Sequence, residues 1–117
     1  MIYELRHYGI YPEQWEPYLA WLEQRANPVL FDKFQLRLIG FWRGVAKRGE
    51  DEPHPNLYWL LAWESEDEMR ARWDSIFASP EWSAAWDAVI DPATGTSRYH
   101  RQTSSTLLHA LPISPIQ

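Results

Sequence analysis

A chain of 117 residues has room for one domain with a modest core. Its formal charge of −5, without a basic block anywhere, excludes a phosphate-tracking surface, so nucleic acid is not an expected partner. The absence of cysteine removes disulfide frameworks and thiolate metal sites, and no run of about eighteen apolar residues offers a membrane span.

The opening IYELRHYGI alternates in a β-forming composition and predicts a strand. Tyr3, Leu5 and His7 share one side of it and Glu4, Arg6 and Tyr8 the other; the first set is expected to meet the helices. The charges in this start stand where an apolar targeting run would be, and the chain is read as cytoplasmic. After Pro12, the positions Trp15, Tyr18, Leu19, Leu22, Ala26, Val29 and Leu30 follow helical spacing. Asn27-Pro28 predicts a kink or an early end of this helix, because proline lacks a backbone donor.

LRLIGFWRGVA (36–46) predicts a second strand, its two glycines marking a bulge or a close backbone approach. The charged, proline-rich KRGEDEPHPN (47–56) reads as an exposed loop. LYWLLAWE (57–64) is almost continuously apolar, the pattern of a central strand covered on both sides. Ser65 with Glu68 forms a capping box that opens a second helix burying Met69, Trp73, Ile76 and Phe77. Ser79-Pro80 restarts a helix in which Trp82, Ala85, Trp86, Val89 and Ile90 recur at helical spacing. DPATGTS is a loop, RYHRQTSSTLLHAL a last strand, and the end of the chain, 111–117, is a proline-containing tail.

The succession strand, helix, strand, strand, broken helix, strand predicts an α+β domain over 1–117 with the ferredoxin-like βαββαβ arrangement: an antiparallel sheet with helices on one face. The other face is then substantially apolar, and a second copy of the chain is expected to cover it.

YELRHY, GFW, LLAWES…RW…F…SPEW and SSTLLHALPIS, in this order along essentially the whole chain, resemble the short bacterial single-domain members of the NIPSNAP family. The resemblance implies a dimeric α/β barrel built from ferredoxin-like subunits and says far less about activity. It departs at His7, where relatives often carry a small polar residue, and in the loop 47–56, which is longer and richer in proline.

Eight Trp, six Tyr and four Phe are more than so small a core can hide at roughly 150–250 Å² each, so some are expected to line a pocket or a partner surface. Trp15, Trp82 and Trp86 lie on helical stripes and read as core, whereas Trp21 falls off its stripe and is assigned to an edge. Trp59 and Trp63 share one strand face and approach Trp73, and Trp42 joins them from the neighbouring strand if it faces the same way. With Tyr3 and His7 they make the candidate ligand site. Weighed against this are an aromatic core without a ligand and a buried His7 that is merely hydrogen-bonded. Arg70 and Arg72 read as surface partners of the acidic residues 66–68. His54 reads as a solvated loop residue, and His100 and His109, by parity, fall on opposite faces of the last strand. No histidine spacing suits a metal, and no nucleophile-elbow, phosphate-loop or dinucleotide motif occurs, so neither metal nor cofactor is expected.

These observations favour a homodimer that binds a small apolar or aromatic molecule between sheet and helices. A cofactor-independent oxygenase or isomerase with His7 as base is the second reading, and a structural dimer without a ligand the third.

Overall fold

The first strand, β1 (Ile2–Ile10), is central, and its register decides what faces what. It pairs antiparallel with β3 (Asn56–Trp63) on one side and β4 (His100–His109) on the other, while β2 (Arg37–Gly44) completes the far edge, giving the order β2-β3-β1-β4. The computed structural model describes residues 1–44 and 56–117; His54 and the rest of the expected loop before Asn56 lie outside the described residues. This is the ferredoxin-like α+β arrangement that the order of elements predicts.

Residues opposite one another in antiparallel strands point to the same face. Glu4 opposes Leu61, Arg6 opposes Trp59 and Tyr8 opposes Leu57, so these side chains enter the helix layer. Tyr3, Leu5 and His7 oppose Ala62, Leu60 and Tyr58 on the other face, which corrects the expected facing of β1. Both faces of this strand carry aromatic and charged residues, so its alternation alone does not say which one is buried. Burial of Leu57, Trp59, Leu61 and Trp63 on β3 decides it.

The first helix begins with a tight turn at Pro12–Gln14 and runs as α1 (Trp15–Trp21). Instead of kinking or ending at Asn27-Pro28, it continues in wide turns over Leu22–Ala26 and Pro28–Lys33. The Asn27 N–H reaches back five residues to the Leu22 carbonyl, and widening spares the chain the four-residue bond that Pro28 cannot donate.

Helix α2 (Glu66–Phe77) starts where the Ser65 side chain accepts from the Glu68 N–H at 3.1 Å. The reciprocal bond slips one residue: Glu68 Oε2 accepts from the Glu64 N–H at 2.6 Å rather than from Ser65. Helix α3 (Pro80–Asp87) has Ser79 as its cap and Pro80 in its first turn. The layer between sheet and helices holds the fully buried Tyr18, Leu61, Trp63, Ile76 and Val89.

Two irregularities adjust the sheet. A register shift between Leu38 and Gly40 lets the Trp42 ring lie over Gly40, where an added Cβ would come within 2.8 Å of the indole. On β4, Gln102 opposes Gly9 but His100 opposes Ile10, so Arg101 is the extra residue of a bulge. That bulge returns His100 to the helix face, the face on which His109 opposes Ile2, and corrects the parity expectation for the two histidines. They stand at opposite ends of the strand.

Candidate functional site

Glu4 organises one end of the sheet–helix layer. Its Oε1 accepts the indole N–H of Trp63 at 3.1 Å and of Trp73 at 2.9 Å, and its Oε2 accepts from Arg6 and from the Ser105 hydroxyl, each at 2.7 Å. All four lone-pair directions of a buried carboxylate are thereby occupied. Burial raises its pKa, but the Ser105 hydroxyl, the Arg6 charge and the Trp73 N–H outweigh it, and Glu4 titrates below the ordinary value.

Arg6 lies two residues further along the same face of the strand. Its guanidinium stands 4.7 Å from the ring centre of Trp73 and 5.3 Å from that of Trp59, and donates from Nε at 3.0 Å and Nη2 at 2.8 Å to the Tyr8 hydroxyl oxygen. Burial works against its charge, and Tyr8 and Glu4 more than offset that. Glu4, Arg6 and Tyr8, alternate residues of one strand, form a continuous chain along the buried face.

Beside this chain opens a cavity of about 490 Å³ between the sheet, the first helix and the α2–α3 pair. Its apolar walls are the rings of Trp21, Trp59, Trp73, Trp82, Trp86 and Phe77, with Leu22, Ala26 and Leu30 from the first helix. Trp82 and Trp86 stack at 5.9 Å, and Phe77, 58% exposed, stacks on Trp73 at 5.5 Å. Arg6, Tyr8, Tyr18 and His100 provide its polar side.

His100 is the imidazole of this cavity, packed edge-on against Tyr8 and Tyr18 and stacked on Trp86. Burial lowers its pKa to about 4, so it is neutral near pH 7. Burial likewise raises the Tyr8 phenol, and raises Tyr18 well above the ordinary value, so both keep their protons. Among the described residues no group of His, Asp and Glu has a geometry that holds a metal ion.

Of the residues singled out from sequence, Trp59 and Trp73 line the cavity, and Trp63 stands behind it, bound to Glu4. Tyr3, His7 and Trp42 belong to the opposite sheet face, where His7 Nε2 meets Asn56 Oδ1 at 2.9 Å and its ring stacks on Tyr58 at 4.6 Å. Trp42 is 51% exposed there. Trp21, expected at an edge, is buried because α3 packs on its side of the first helix: its ring lies edge-on to Trp82 and Trp86, and its indole N–H donates to the Ala85 carbonyl at 2.9 Å. Arg70 pairs with Glu66 on the surface as expected, while Arg72 also donates to the Phe34 carbonyl. Glu4, Arg6, Tyr8, Tyr18 and His100 went unrecognised; the alternation of Glu4, Arg6 and Tyr8 on one strand face was the available signal.

A four-stranded antiparallel sheet carrying its helices on one face, with an aromatic cavity between the layers, defines a ferredoxin-like α+β protein. The NIPSNAP family model matches residues 3–115, and the chain belongs to that family. Among solved structures, an uncharacterised NIPSNAP domain protein from Burkholderia xenovorans superposes with a TM-score of 0.79 at 17% identity, covering 98% of this chain and 99% of that one. A NIPSNAP family protein from Agrobacterium tumefaciens gives 0.77 at 19%, covering 100% and 94%. An antibiotic biosynthesis monooxygenase shares the fold with a TM-score of 0.57 at 17%, covering 96% and 100%. No curated protein matches. Among the described residues no helix is long and apolar enough to cross a membrane.

Proposed function

We propose that this NIPSNAP protein binds a small aromatic or apolar molecule in the cavity between its sheet and its helices, and does so as a homodimer. The observation that carries the first part is the cavity itself: about 490 Å³ walled by aromatic rings, with Arg6, Tyr8, Tyr18 and His100 on its inner side. Trp82, Trp86 and Phe77 make part of that wall while keeping solvent contact, so a flat guest gains ring contacts that the chain alone leaves unused.

The homodimer rests on the uncovered sheet face. Tyr3, Leu5, Tyr58 and Leu60, half-buried, and the exposed Trp42 form an apolar surface that no helix covers among the described residues, and Leu111, Ile113 and Ile116 of the tail are exposed. A second copy brings an identical apolar face, which a twofold axis makes self-complementary.

Titration with a panel of aromatic compounds, followed by intrinsic tryptophan fluorescence, tests the cavity. Saturable quenching is expected in the parent protein and its loss in Ala26→Phe, which places a ring in the cavity, with circular dichroism checking that the variant folds. A flat response across the panel in the parent protein overturns the proposal.

A further inference from the structure

The inner side of the cavity is unbalanced in hydrogen bonding, and the imbalance can be counted. Ser97 Oγ accepts two backbone N–H groups, from Tyr99 at 3.1 Å and from His100 at 2.9 Å, which uses both its lone pairs. Its contact with His100 Nδ1 at 2.8 Å must therefore be its own O–H donating to the ring. A neutral imidazole that accepts at Nδ1 carries its proton on Nε2. That Nε2–H is buried and has no partner among the described residues.

The same count applies to Tyr8. Its oxygen accepts twice from Arg6, so its O–H is left to donate, and no described residue accepts it. The Trp59 N–H leans toward that same saturated oxygen without forming a hydrogen bond, and the Tyr18 hydroxyl is buried without a partner. Rings bearing these groups converge: Tyr8 and His100 are 5.1 Å apart, Tyr18 and His100 5.0 Å, Tyr8 and Trp59 6.0 Å. Ser83, Asp87 and Thr103, which also line the cavity and can accept, are exposed residues at its rim. Charge is already matched inside, since Arg6 is paired with Glu4.

We propose that the ligand of this cavity is a neutral, planar aromatic ketone or quinone whose carbonyl oxygen fills its two lone pairs from the buried, unpartnered donors of Tyr18 and His100. This rests on the binding reading above and deepens it. The Tyr8 O–H and the His100 N–H can only donate, and the Tyr18 hydroxyl is free to donate as well. An oxygen with two lone pairs and no proton therefore finds donors for both, whereas an alcohol or amine can place its hydrogen only on the Tyr18 oxygen. An anion has no unpaired cation to meet, whereas a carbonyl takes the donors and leaves its rings against the indoles.

Isothermal titration calorimetry with matched pairs tests this: 9-fluorenone against fluorene, and the smaller 1-indanone against indane, with fluorene-9-carboxylate as the charged member. Each ketone is expected to bind at least tenfold more tightly than its hydrocarbon and more tightly than the carboxylate. Tyr18→Phe and His100→Phe are each expected to narrow the ratio of ketone to hydrocarbon affinity roughly tenfold, the worth of one hydrogen bond. Equal affinity for ketone and hydrocarbon overturns the inference while the binding cavity stands, and so does preference for the carboxylate. If no member of either pair binds, the binding proposal falls and takes this one with it.

Discussion

The indole N–H of Trp73 donates to Glu4 Oε1 at 2.9 Å, joining helix α2 to the central strand through a buried carboxylate. Because the same carboxylate holds Trp63, Ser105 and Arg6, one side chain positions both the wall of the cavity and its cation.

Glu4→Gln is expected to destabilise the fold by about 3 kcal/mol, as removing one partner of a buried ion pair does. The amide leaves Arg6 without a counter-charge and turns a donor toward groups that are donors themselves. Urea denaturation checks it; a loss under about 1 kcal/mol would show that the carboxylate is dispensable.

Tyr8→Phe and Tyr18→Phe remove the same atom with opposite expected results. The Tyr8 oxygen accepts two bonds from Arg6, so its deletion orphans charged donors and costs about 2 kcal/mol. The Tyr18 oxygen is buried without a partner, so its deletion leaves stability unchanged or raises it by up to about 1 kcal/mol. Paired denaturation curves of the ligand-free proteins separate the two.

Acid weakens the fold through His100 first. Its folded pKa of about 4 lies below the unfolded 6.5, so the unfolded chain takes the proton more readily. Its contribution is fully present above pH 6.5 and is lost as pH falls toward 4, amounting to about 2 kcal/mol by pH 5. His100→Phe is expected to flatten the stability profile across this window. Glu4 acts lower: with a folded pKa depressed from 4.5, its contribution is present above that value and disappears as pH drops through the folded one. Thermal melts of both variants from pH 7 down to about pH 2 resolve the two windows.

Leu5→Lys combined with Leu60→Lys places two cations on the uncovered sheet face, where these residues oppose one another. The proposed dimer is expected to give way to a folded particle of the 13.9 kDa chain mass in sedimentation. A parent protein that already sediments at that mass at micromolar concentration removes the dimer.

The elements themselves were legible because they rest on local chemistry. Ser65 and Ser79 cap helices α2 and α3 as their spacing to a following N–H requires, and the apolar run of β3 has only the centre of a sheet as a place to go. Trp59 and Trp73 were placed in the candidate site because strand and helix periodicity each point one face inward. What only the tertiary structure decided is which side of β1 is inside. Glu4 and Arg6 become tolerable core residues once Ser105, Trp63 and Trp73 arrive from β4, β3 and α2, between 59 and 101 positions away in the chain. Likewise His100 reaches the cavity only through the bulge at Arg101, which inverts the parity that a regular strand would impose. Periodicity records the two faces of an element; which of them is buried depends on partners brought by the rest of the fold, and their hydrogen bonds carry the decision.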